Sequence, residues 1–137
     1  MAIKRIDHIA IAIEDMRQSL GFWEKALGLH VHAMQNVPEQ AVDIAFLPIG
    51  QSEVELVRPV TDDSGIAKWM SKRGPGIHHM AVEVHDVRSC MQSHKDAGLS
   101  FTTDEPSKGL HGSTICFLHP KSTFGVMTEL VELAKDQ

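Results

Sequence analysis

Residues 3–13 alternate with the period of a strand: Ile9, Ile11 and Ile13 share one face, and Ile6, His8, Ala10 and Ala12 share the other. The first face is bulky and suits packing against a helix. The second is small apart from its imidazole and can line a cavity. The same parity returns at 77–84, with Met80, Val82 and Val84 on one face and His79, Ala81 and Glu83 on the other. A helical period follows each strand. Asp15 is placed to N-cap the first helix with Gln18 as its capping-box partner; Met16, Leu20, Trp23 and Leu27 form its apolar stripe, and Gly28 stops it. Asp86 caps the second, with Val87, Cys90, Met91 and His94 inward and Gly98 as the stop. Further strands are predicted at about 30–34, 41–48 and 53–58, and again at about 99–103, 113–118 and 125–133. A short helix capped by Ser64 and running to about Lys72 lies between the two sets. The pattern predicts an α+β protein of two βαβββ modules in tandem, residues 1–60 and 76–137, joined by a linker helix within 61–75 and forming a cupped mixed sheet.

The modules repeat in sequence as well as in pattern. Ile6-Asp7-His8-Ile9-Ala10-Ile11-Ala12-Ile13-Glu14-Asp15-Met16-Arg17 returns as Ile77-His78-His79-Met80-Ala81-Val82-Glu83-Val84-His85-Asp86-Val87-Arg88. Lys25-Ala26-Leu27-Gly28-Leu29 is matched by Lys95-Asp96-Ala97-Gly98-Leu99, and Glu55-Leu56-Val57 by Glu129-Leu130-Val131. Each copy therefore offers one imidazole, His8 or His79, and one carboxylate, Glu55 or Glu129. Each Glu interrupts an apolar strand, where a carboxylate is costly unless it is paired or metal-bound. Two neutral imidazoles and two carboxylates suit a divalent ion such as Co, Mn, Ni, Zn, Fe or Mg, and ligand type alone does not choose among these. His78 points to the face opposite His79 and is excluded. His30, His32, His85 and His94 have no matching carboxylate, whereas His111 and His119 flank a candidate substrate loop.

Composition narrows the partners. The 137 residues are 42% hydrophobic and 23% charged, and the net charge is −5 with no basic run, so a nucleic-acid surface is not expected. No apolar run approaches a membrane span, and the N-terminus opens on a strand pattern without a signal-peptide core, so a cytoplasmic protein is expected. Cys90 and Cys116 stand in no metal or redox spacing and read as reduced thiols.

The duplicated unit with its His, Glu, His and Glu resembles the vicinal oxygen chelate superfamily, which includes glyoxalase I, extradiol dioxygenases and methylmalonyl-CoA epimerases. The resemblance to the epimerases spans essentially the whole chain. It is carried by Ile6-Asp7-His8-Ile9-Ala10, Pro38-Glu39-Gln40, Glu55-Leu56-Val57-Arg58-Pro59, Ile66-Ala67-Lys68-Trp69, Gly76-Ile77-His78-His79-Met80-Ala81, Asp104-Glu105-Pro106, and above all Phe117-Leu118-His119-Pro120-Lys121 leading into Gly125-Val126 and Glu129-Leu130. It implies His8, Glu55, His79 and Glu129 as metal ligands, an acyl-CoA substrate and a homodimer. In one respect the chain departs from the family: the glutamate that several bacterial epimerases carry six residues after that Pro is Ile44 here, with Asp43 adjacent but on the opposite strand face.

The resemblance implies epimerisation of (2R)- and (2S)-methylmalonyl-CoA by metal-assisted proton abstraction at C2 through an enolate. Inversion needs a base on one face and an acid on the other, and Glu129 and Glu55 are the expected pair. Lys121, His111 and Gly112 are the expected substrate contacts. The alternative activity is that of glyoxalase I (lactoylglutathione lyase) on a glutathione hemithioacetal; the His-Pro-Lys block and the Ala67-Lys68-Trp69 helix favour the epimerase. An Fe(II) dioxygenase is disfavoured by a fourth ligand at Glu55, and a non-enzymatic binding protein by the full ligand set.

Overall fold

The computed structural model describes residues 3–135. It is a mixed α+β fold in which one βαβββ arrangement is built twice. Of the described residues, His8–His78 form one compact unit, and those up to Asp7 and from His79 onward form another.

In the first unit, residues 8–12 of strand β1 (Ile3–Ala12) pair in parallel with β4 (Ser52–Pro59), and β2 (Ala33–Val37), β3 (Val42–Ile49) and β4 are antiparallel neighbours. In the second, residues 80–83 of β5 (Gly76–Val84) pair in parallel with β8 (Thr128–Glu132), while β6 (Ser107–Lys108), β7 (Thr114–Phe117) and β8 are antiparallel. The parallel pair closes each unit, because the helix after the first strand carries the chain across the sheet.

The predicted strand faces are the observed ones. Ile13, Ala45, Leu47, Val54 and Leu56 form the first core, with Ile11, Met16, Leu20, Trp23, Leu29 and Val31 packed on it. Val82, Val84, Val87, Cys90, Met91, Cys116, Leu118 and Leu130 form the second. The opposite face of each sheet carries the imidazoles and carboxylates. Both cysteines are free and buried. Burial, then the charge of Glu129, pushes the Cys116 thiol up to about 11, which leaves it unreactive at neutral pH.

Helix starts follow the capping residues. The Asp15 carboxylate accepts from the Gln18 amide at 2.9 Å ahead of α1 (Met16–Leu20), and Asp86 accepts from the Ser89 amide at 3.0 Å ahead of α3 (Val87–Asp96). Buried Ser64 caps α2 (Gly65–Arg73), accepting from the Ala67 amide at 3.0 Å. Ser64→Ala is expected to lower stability by about 1 kcal/mol and Ser64→Gly by only a few tenths, measured by urea unfolding.

The first helix departs from expectation. After Leu20 it widens into π-helical turns over Gly21–Ala26, with the Leu27 amide donating to the Phe22 carbonyl at 3.0 Å. The extra residue per turn rotates Leu27 out of the apolar stripe, so it is exposed and Leu29 fills the core instead.

Three strand boundaries also differ, and the strand expected at about 125–133 is β8 at Thr128–Glu132. The strand expected at 30–34 is β2 at Ala33–Val37, and the one expected at 99–103 is reduced to a single bridge between Phe101 and Leu118, with β6 at Ser107–Lys108 in its place. No described helix is long and apolar enough to cross a membrane.

Candidate functional site

In the first unit the site is set by strand parity. His8, Ala10 and Ala12 share a face of β1, and the parallel register places Ala10 opposite Glu55. On the other side of β4, Glu55 lies opposite Phe46 of β3. His8 Nδ1 is 3.2 Å from a Glu55 carboxylate oxygen. Both side chains are almost fully covered, His8 at 8% and Glu55 at 9% exposure.

The second unit repeats this residue for residue. Ala81, two after His79, lies opposite Glu129 of β8, and Glu129 lies opposite Phe117 of β7. His79 Nε2 is 3.4 Å from a Glu129 oxygen, and Glu129 is 6% exposed. The Phe117 ring meets His79 edge-on at 5.5 Å. The aromatic position was not among the residues picked from the sequence. Its signal is the match of Phe46-Leu47-Pro48 to Phe117-Leu118-His119-Pro120. The small side chains beside each His, Ala10 and Ala12 in one unit and Ala81 in the other, are fully covered, and Phe46 is buried opposite Glu55.

The donor set fits a divalent ion. Nitrogen and oxygen atoms bound about 2.0–2.2 Å from one ion stand roughly 3.0–3.5 Å apart at octahedral or tetrahedral angles. The His–Glu separations of 3.2 and 3.4 Å lie within that interval. In the second unit, Glu83 shares the face of His79 but is otherwise engaged: Arg5 Nε donates to it at 2.7 Å and Lys4 lies 3.7 Å away.

Asp43 does not replace the missing family glutamate. The β3–β4 ladder runs without a bulge from Val42↔Pro59 to Ile49↔Ser52, so Ile44 shares the face of Glu55 and Asp43 turns away from it. Asn36 donates to Asp43 at 2.8 Å, as does Arg58 at 2.8 Å, and these two bonds hold its carboxyl below the usual range. Ile44 itself is buried.

The remaining sequence-selected residues lie on turns of the second unit. His111 is exposed with φ 58°, Gly112 has φ 76°, and a Cβ on Gly112 would approach Ala134 Cβ to 3.3 Å. Lys121 is exposed in the 3-10 turn Pro120–Ser122, its amide donating to His119 Nδ1 at 3.2 Å. His78 packs edge-on against Trp69 at 5.0 Å, away from the ligand face; burial, and then Arg73, lower its pKa.

Comparison with known proteins places this geometry. Residues 7–117 match the family model described as the Glyoxalase/Bleomycin resistance protein/Dioxygenase superfamily. An ethylmalonyl-CoA/methylmalonyl-CoA epimerase of Cereibacter sphaeroides is 34% identical over 96% of this chain and 99% of its own length. The structure of a Streptomyces coelicolor methylmalonyl-CoA epimerase variant in complex with 2-nitronate-propionyl-CoA superposes with a TM-score of 0.89 at 38% identity, covering 98% of this chain and 100% of that one. A lactoylglutathione lyase of Arabidopsis thaliana is more distant, 25% identical over 94% of this chain and 44% of its own length.

Proposed function

The chain belongs to the glyoxalase/bleomycin resistance protein/dioxygenase superfamily and, within it, to the methylmalonyl-CoA epimerases, and from that premise we propose that it interconverts (2R)- and (2S)-methylmalonyl-CoA by removing and returning the C2 proton. The observation that carries the reading is the repeated register, an imidazole and a carboxylate at the same place in both units. His8, Glu55, His79 and Glu129 would hold one divalent ion. When bound, such an ion supplies positive charge where negative charge builds on the thioester oxygen of the substrate.

The protein's residues do the rest. Glu129 removes the proton from one face of C2 and Glu55 delivers one to the other; in the reverse reaction they exchange roles. His79 and His8 would share the ion with these carboxylates and so fix their places beside it. Phe46 and Phe117 stand opposite the two carboxylates in the ladders, and Glu129 and Glu55 exchange their protons with solvent between turnovers. Lys121, His111 and Gly112 contact the acyl-CoA. The proposal includes a homodimer, a cytoplasmic location, and the two modules, 1–60 and 76–137, as the duplicated units.

Supplied in turn with (2S)-methylmalonyl-CoA and with methylglyoxal plus glutathione, the metal-loaded protein is expected to turn over the first and not the second. Turnover of the hemithioacetal alone would replace this reading with the glyoxalase one. Elemental analysis is expected to find one divalent ion per chain, and His8→Ala and His79→Ala each to lose it. Full metal occupancy in both variants would remove the four-ligand site.

A further inference from the structure

We propose that the basic surface of α2, with Lys68 and Lys72 stacked one turn apart and Arg73 beside them over Trp69, is an anion site for the 3′-phospho-ADP end of a coenzyme A thioester, an inference that rests on the acyl-CoA reading above. A protein of net charge −5 repels such an anion as a whole, so tight binding of its phosphates needs a local concentration of cations. Among the described residues, α2 is the one helix or strand with three Lys or Arg and no Asp or Glu. The cations of β1, β4 and α3 are engaged elsewhere: Lys4 and Arg5 with Glu83, Arg58 with Asp43, Arg88 with Glu105. Lys68, Lys72 and Arg73 are all exposed, and none pairs with a described carboxylate.

Helix stability does not account for this arrangement. Lys72 and Arg73, in the last turn, complement the helix dipole. Lys68 stands a turn earlier and directly below Lys72, and like charges four residues apart oppose the helix. One of the cations is also held in advance. The Arg73 guanidinium lies over the Trp69 ring at 5.7 Å, and Trp69 is buttressed by His78. Trp69 is half-buried beside the cations, and an aromatic ring next to positive charge is a combination suited to a purine carrying phosphates. Five residues separate β4 from α2, which packs against that strand. The surface thus belongs to the same unit as Glu55, and the pantetheine arm of the substrate would bridge the two.

The test uses full-length, metal-loaded protein and the variants Lys68→Gln/Lys72→Gln and Lys68→Arg/Lys72→Arg, with circular dichroism and urea unfolding to check that each folds. For methylmalonyl-CoA at low ionic strength, the Gln variant is expected to raise KM about tenfold with kcat unchanged, and the Arg variant to keep the original KM. The difference should shrink at about 0.5 M salt. With the methylmalonyl thioester of pantetheine, which has no phosphates, wild type and variant should share one KM. Calorimetric titration with adenosine 3′,5′-bisphosphate reads the surface without any turnover. Binding by wild type that the Gln variant loses supports the proposal even if the chain is no epimerase. An unchanged KM, an equal effect on the pantetheine thioester, or no binding of the bisphosphate by wild type would each overturn it.

Discussion

Glu129→Gln is expected to lower the epimerisation rate at least about a hundredfold, the usual scale when a general acid–base group is removed. Gln has nearly the shape of Glu and keeps an oxygen toward His79, but it cannot take a proton from C2. Glu129 is almost completely covered and fixed between Ala81 and Phe117 in the ladder, so solvent has little access to substitute for it. Because the same carboxylate is a proposed metal ligand, the metal content of the variant must be measured with its rate. With metal retained, a fall in kcat belongs to proton transfer; a rise in KM alone would belong to binding. Glu55→Gln should show a comparable loss of kcat/KM, by the same factor in both directions, since the equilibrium between the epimers fixes the ratio of the two rates. Near-normal turnover by metal-replete Glu129→Gln would remove Glu129 from the role of base.

Leu56→Ala is expected to cost about 2–5 kcal/mol of stability, the range for truncating a fully buried leucine. Leu56 is 0% exposed and sits in the first core with Ala45, Leu47 and Val54, under a lid of Met16, Leu20 and Trp23. That lid is a helix already widened by π turns, and the core beneath it has few ways to collapse on a void. Urea unfolding should show a lower midpoint with an unchanged slope. Leu56 also lies between Glu55 and Val57 on β4, so partial activity in the folded fraction would report how firmly the strand holds Glu55. A loss below about 1 kcal/mol would mean that the helix settles into the cavity.

The parts of the fold legible in the sequence are those governed by local chemistry. Strand parity put His8 and His79 on the faces away from the cores because side chains alternate whatever the strand pairs with. Asp15, Ser64 and Asp86 were readable as caps because the cap bond spans only three residues.

What was misplaced depends on partners distant in the chain. Leu29 and Val31 alternate with His30 and His32 like a strand, yet the ladder counts back from the turn at Pro38–Gln40, pairing Val37 with Val42 and Ala33 with Phe46. The second unit behaves the same way: the turn closed by the Gly109 amide on the Ser113 carbonyl fixes Lys108 opposite Thr114. A Cβ at position 109 would come within 2.5 Å of Ser113 Oγ, so this turn requires glycine. Leu27 falls in the core stripe only on a regular helix, and the π turns over Gly21–Ala26 carry it out to solvent. At the candidate site, the pairing of His8 with Glu55 and of His79 with Glu129 is legible through the repeat. Phe46 and Phe117 are not, because an apolar residue in a strand looks like core filling until its neighbour across the ladder is known. The fixed pairing of Asp43 with Arg58 was likewise invisible, since it depends on the β3–β4 register.

The most direct measurement is proton exchange at C2. Metal-loaded protein is incubated with one epimer of methylmalonyl-CoA in D2O, with an EDTA-treated sample alongside, and deuterium incorporation and the other epimer are followed together. The account predicts metal-dependent deuterium uptake at C2 accompanied by inversion, and neither in the treated sample. Absence of exchange by protein shown to hold its metal would contradict it.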